Sequence, residues 1–236
     1  MTATIPTTVP QVMLPGQAAA PEGPVDIAPM YLMHHAFRRD VHAFAAVVPT
    51  VAATDRRRWA RIARRFTFFT TILHKHHSGE DRAMWPLLAE KGADTAVLDA
   101  LQADHAGIDP LLTSLDAGLR ALAGGSGDAA DRDRVTDTAV RLRDALLAHL
   151  EREERDGMAL VQRHLVQEDW DRLDREVFQK DYTAFEVPAV AGWVADGLSD
   201  EDLRRMPDAG PVLLAVARAM GRRNARRDAR VFGGAR

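Results

Sequence analysis

Across residues 28–165 the apolar side chains recur at steps of three and four, in four long segments, and that spacing commits this stretch to helices. Phe37, Val41, Phe44 and Val48 mark the first segment, about 28–48, which Pro49 ends or kinks. Ile62, Phe66, Phe69, Leu73, Met84 and Leu87 mark a second, about 55–91, with Gly92 placed to cap it. Leu98, Leu101, Ile108, Leu112, Leu115, Leu119 and Leu122 mark a third, about 94–123, which stops at the Gly124-Gly125-Ser126-Gly127 linker. Val135, Ala139, Leu142, Leu146 and Leu160 mark a fourth, about 129–165. Strand signals, alternating β-branched residues bounded by Asn-Gly or Asp-Gly turns, are missing. Short connections between long amphipathic helices predict an all-α fold, an antiparallel four-helix bundle over residues 28–166.

The flanks read differently. Pro6, Pro10, Pro15, Pro21 and Pro24 punctuate residues 1–27, which have little to bury and are expected as a disordered tail. Residues 167–236 are expected as a helical appendage packed on the bundle, too short for a core of its own. Its helices fall near 168–181, 199–206 and 211–229, with Val187-Pro188, Gly192 and Gly197 breaking the pattern between them. No cysteine is present, so disulfides, thiolate ligands and a cysteine nucleophile are excluded, and any metal must be held by nitrogen and oxygen. The net charge of −3 gives no reason to expect nucleic acid as a partner. No apolar run approaches the ~18 residues of a membrane span, and no basic-then-apolar leader opens the chain. A cytoplasmic location without a transmembrane segment is the expectation.

Two turns carry a histidine followed four residues later by a glutamate: His76 and Glu80 in HKHHSGED, His149 and Glu153 in AHLEREER. Residues four apart share a helix face, so each turn aims an imidazole and a carboxylate at one point. Both turns continue the apolar stripe of their helix. His34, one turn before Phe37, and His105, between Leu101 and Ile108, do the same on the other two helices. Four imidazoles and two carboxylates are therefore expected to point into one bundle. His35, His42, His74, His77 and His164 fall beside or off these stripes and are expected at the surface or rim, with His77 placed to support a ligand. Two buried carboxylates need compensating charge, which a dication or two would provide. Imidazole with carboxylate suits first-row transition metals, while calcium or magnesium would call for an all-oxygen shell. Six ligands exceed the needs of one tetrahedral zinc, and two Glu bridging between two pairs of His describe a dinuclear centre. Spacing does not separate iron from manganese.

This arrangement resembles the hemerythrin-like (HHE cation-binding) family. The resemblance rests on His34 in MHHAFRRD, His76 and Glu80 in HHSGEDRAMWPLL, His105 in LQADHAGI, and His149 and Glu153 in AHLEREER, and covers roughly residues 28–165. It implies a hemerythrin-like bundle holding two non-haem iron ions bridged by an oxo or hydroxo group and by Glu80 and Glu153. It also implies a small gas or peroxide as ligand and a place in oxidative or nitrosative stress or iron handling. Oxygen-carrying members place a further His one turn after the third-helix His. Here that position is Asp109, which puts the chain with the four-His, two-Glu sub-type and points away from reversible oxygen carriage. The alternatives are a metal-dependent sensor or interaction module without turnover, and a purely structural bundle. Beyond the family motifs, Arg218, Arg222, Arg223, Arg226, Arg227 and Arg230 crowd the last helix against a single acid, Asp228. They are expected to pair with acidic residues of the bundle, an anionic-lipid or nucleic-acid surface being the other reading.

Overall fold

The computed structural model describes residues 8–125, 127–206 and 210–233. Among these the regular structure is entirely helical, and none of the helices is long and apolar enough to cross a membrane. Helix α1 spans Ala28–Val47. Helix α2 spans Arg56–Gly79 and continues through a π turn, Glu80–Met84, into Trp85–Glu90. Helix α3 spans Thr95–Gly124, and α4 spans Ala129–Arg152, continuing through a π turn, Glu153–Gly157, into Met158–His164. Consecutive helices are neighbours and α4 closes back onto α1, which makes the antiparallel four-helix bundle.

The helix ends have local causes. The Asp55 side chain accepts from Arg58 N at 3.0 Å and Asp94 from Ala96 N at 2.9 Å, while Asp128 and Asp131 form a reciprocal capping box at the start of α4. Gly125, at φ +82°, ends α3 in the left-handed conformation that a side chain would resist; Ser126 of the expected linker lies outside the described residues.

In all four helices a polar layer splits the apolar core in two. Tyr31 lies on one side of His34 and Phe37 on the other; Leu73 and Met84 flank His76 and Glu80; Leu101 and Ile108 flank His105; Leu146 and Met158 flank His149 and Glu153. The larger half holds an aromatic stack in which Phe44 packs against Phe66, Phe69 and Phe232 at centroid distances of 5.1, 5.6 and 5.2 Å. Each such buried ring contributes ~1.5–3 kcal/mol, enough to fix helix register around the polar layer.

Both flanks depart from expectation. Residues 1–7 lie outside the described set, but the rest of the expected disordered tail, residues 8–27, packs along α1 and α4. Val12, Leu14, Val25 and Ile27 are buried, and the main chain is met by side chains: Gln162 exchanges hydrogen bonds with both backbone groups of Val25 at 3.0 and 2.9 Å. Proline count hid four apolar residues, of which Val12 and Leu14 join the larger apolar cluster and Val25 and Ile27 the smaller. In the C-terminal region α5 spans Gln167–Leu173, followed by a π turn, Asp174–Phe178; α6 spans Val187–Val194, α7 Asp200–Leu203 and α8 Pro211–Phe232. Helix α6 replaces the expected break. Pro188 sits in its first turn, where its missing N–H costs nothing, and Gly192 is its contact point with α8: a Cβ there would lie 2.3 Å from Met220 Cβ. Asp40, buried on α1, anchors this region by accepting from Trp193 Nε1 at 2.7 Å and pairing with Arg65, which in turn holds Asp228 at 3.0 Å.

The expected pairing of the arginine cluster with bundle acids fails for most of its members. Arg218 binds Asp200 at 2.9 Å, whereas Arg222, Arg223, Arg226, Arg227 and Arg230 are exposed on one face of α8. The reason is phase: packing turns Asp228 inward and leaves the arginines on the solvent side.

Candidate metal centre

All six expected site residues meet in the polar layer, and each is buried. His34 Nε2 and His76 Nε2 lie 3.3 Å apart, and His105 Nε2 and His149 Nε2 lie 3.2 Å apart. The two carboxylates span these pairs. Glu80 reaches His76 Nε2 at 3.0 Å and His105 Nε2 at 3.6 Å; Glu153 reaches His34 Nε2 at 3.3 Å and His149 Nε2 at 3.5 Å. Each carboxylate thus touches one imidazole of each pair.

The π turns contribute to this placement. Each begins at a site glutamate, and its hydrogen bond runs five residues back: Trp85 N to Glu80 O, and Met158 N to Glu153 O. The extra residue shifts the buried stripe by one position, so that Leu88 rather than the expected Leu87 is fully buried after Met84. In α4 it lets Glu153 and Glu154 both face inward.

Three groups missed by the sequence pattern, and a fourth expected only as a support at the rim, complete the site. Glu154 accepts from His34 Nδ1 at 2.9 Å, is held by both Arg38 guanidinium nitrogens at 2.5 and 3.0 Å, and accepts from Ala18 N at 2.8 Å. Asp81 accepts from His105 Nδ1 at 2.9 Å. Asp104 lies 3.6 Å from His149 Nδ1 and binds Arg152 through both its oxygens at 2.9 Å. A carboxylate on Nδ1 fixes the tautomer, so the Nε2 lone pairs of His34 and His105 point into the layer. The fourth is His77. Expected at the rim, it is only 4% exposed and stacks on His105 at 3.9 Å and 10°, with Nε2 buried and without a hydrogen-bond partner. Helix α2 packs against both α1 and α3, so a 100° step from His76, which faces His34, brings His77 round to His105. Asp109, the position occupied by histidine in oxygen carriers, is exposed. Signals for two of the four groups existed as second four-step rows: Phe69, Leu73, His77 on α2 and Leu146, Leu150, Glu154 on α4. Of the other histidines, His42 and His74 are exposed, and His35 and His164 are half-buried.

The electrostatics are those of a crowded, dry site. Burial, then the neighbouring Glu153 charge, pushes Glu80 well above the usual carboxylate range. Burial acts on Glu153 in the same direction, but His34, His149 and His76 outweigh it and lower its pKa. Burial, with His34 adding to it, drives His76 down to about 3, and His77 is lowered by burial, His105 and His149. Burial opposes charge on His34 too, yet Glu153 and Glu154 raise its pKa. Both oxygens of Glu80 and both of Glu153 are buried with no hydrogen-bond donor. Two sets of ligand atoms lie close enough to share an ion: His34, His76, Glu80 and Glu153, and His77, His105 and His149. Orphaned carboxyl oxygen beside converging imidazole nitrogens is a donor set for cations.

A family model of the hemerythrin HHE cation binding domain matches residues 25–161 of the chain. No curated protein and no solved structure matches it.

Proposed function

The chain belongs to the hemerythrin HHE cation-binding family, and from that footing we propose that it is a non-haem di-iron protein reacting with, or sensing, dioxygen, nitric oxide or peroxide. One observation carries the reading: two pairs of Nε2 atoms at 3.3 and 3.2 Å are linked by two carboxylates that each reach both pairs. His34 and His76 would hold one ion and His105 and His149 the other, with Glu80 and Glu153 bridging and His77 adding a nitrogen on the His105–His149 side. Nitrogen and oxygen donors of this kind suit iron, with manganese as the nearest substitute. When bound, the ions supply redox and Lewis-acid chemistry toward a small ligand.

The side chains prepare that chemistry in definable ways. Glu154 and Asp81 hold the imidazoles of His34 and His105 in the tautomer that presents Nε2 inward. Arg38 holds the Glu154 carboxylate in place through both of its oxygens. The apolar clusters on either side exclude water and keep the local dielectric low.

Reconstitution with ferrous iron under nitrogen, followed by exposure to dioxygen, nitric oxide or peroxide with optical detection, tests the reading. Sustained peroxide consumption would mark turnover, and a single stoichiometric spectral change would mark sensing. Iron-loaded protein whose spectrum responds to none of the three would refute the proposal.

A further inference from the structure

The C-terminal helices, outside the family match, enclose a second feature against the bundle. Between α1, α2, the π turn after α5, and α6 lies a cavity of about 390 Å³. Leu32, Met33, Trp170, Phe178, Val190 and Leu213 are among its walls, and His76 lies at the inner end. The Phe178 wall is fixed by a close fit: a Cβ on Gly79 would sit 2.6 Å from Phe178 Cε1, so the ring lies flush on α2 three residues after His76.

Its polar lining is already spoken for. Lys75 Nζ binds Glu186 at 2.7 Å and stands 4.8 Å from the Tyr182 ring, and Gln179 donates to Asp174 at 2.7 Å. Lys75 and Glu186 thereby neutralise each other, and Asp174, held by a neutral amide, is itself an anion, so the lining offers no cation to an anionic ligand. A water molecule takes about 30 Å³, so dioxygen or peroxide, with two heavy atoms each, would leave most of this space unfilled. The volume falls instead within the ~300–1,000 Å³ of pockets for organic ligands, and methionine walls such as Met33 adapt to their shape.

We propose that this cavity binds an uncharged, largely apolar organic molecule, seated with one end against His76. Its position beside the metal centre rests on the function proposed above; the binding itself does not. An apolar molecule would displace poorly held water from apolar walls, whereas an anionic one would lose hydration without gaining a partner.

The probe is N-phenyl-1-naphthylamine, uncharged and fluorescent in apolar surroundings, titrated into the full chain with and without iron. Metal-free protein should bind it saturably at one site per chain. Val190→Trp, which fills the cavity, should weaken binding at least tenfold with helicity unchanged. Val212→Trp, at an exposed position on α8, should leave binding as it is. The anionic relative 8-anilinonaphthalene-1-sulfonate should bind at least tenfold more weakly than the neutral probe. Absence of saturable binding, indifference to Val190→Trp, or equal binding of the anion would each overturn the proposal. In iron-loaded protein the bound probe should shift the optical spectrum, and no shift would overturn the contact with His76. Should the protein take up no iron, the function proposed above fails while the metal-free titration still decides the cavity.

Discussion

Replacing Glu154 by leucine removes its contacts to Arg38, His34 and Ala18 N, and a second substitution separates the first two. Glu154 and Arg38 form a buried ion pair with contacts of 2.5 and 3.0 Å. Stranding the Arg38 guanidinium, 7% exposed, costs about 3–5 kcal/mol. For a chain of this size that corresponds to a midpoint lower by roughly 6–20 °C. The same change takes the acceptor from His34 Nδ1, and loss of such a supporting partner lowers metal affinity about 10- to 100-fold, or ~1.4–2.8 kcal/mol. Adding Arg38→Met leaves no uncompensated charge and should restore most of the thermal stability, because replacing both members of a buried pair by apolar residues is close to neutral. It should restore none of the metal affinity, since His34 still lacks its acceptor. Thermal denaturation of the metal-free proteins gives the first quantity and competition with a chromophoric chelator the second. The reasoning is refuted if Glu154→Leu leaves iron affinity unchanged, or if affinity returns together with stability in the double variant.

Three further outcomes follow from the same geometry. His77→Ala should weaken retention of one iron by roughly tenfold or more and barely affect the other, as followed by stepwise chelation; equal loss of both would place His77 outside the centre. Trp193→Phe should cost about 1.5–3 kcal/mol in urea denaturation by removing the indole donor from the buried Asp40 carboxylate, and an unchanged midpoint would contradict that anchor. In metal-free protein Glu80 binds its proton more tightly folded than unfolded, so its contribution is full at low pH and falls as pH rises from the ordinary carboxylate range through its raised pKa. Iron held by Glu80 would displace that proton, so the stabilisation on adding iron should grow as pH rises from the ordinary carboxylate range toward the raised pKa; stabilisation that shrinks over that rise would contradict this assignment.

The bundle was legible because its signal is periodic and long. The same stripes that place Phe37 or Leu146 in the core carry His34 and His149 into it. What could not be read has physical reasons. A helix wedged between two neighbours buries more than one row, so Glu154, one position beyond the main stripe, carries no signal in that stripe, and His77 reads as a rim support and not as part of the layer. The π turns have no periodic signature until the phase slips after Glu80 and Glu153. Helix α6 was masked by Gly192, a helix breaker by propensity but here the point where α8 crosses. The packing of residues 8–27 depends on partners such as Gln162, more than a hundred residues away, which no local pattern reveals.

Iron content measured on desalted protein, after anaerobic reconstitution with excess ferrous ion, tests the central claim most directly. The expected result is two irons per chain, with Glu80→Ala and Glu153→Ala each losing at least one while keeping their helicity. Folded protein that retains no iron, or variants that keep the full complement, would contradict the account.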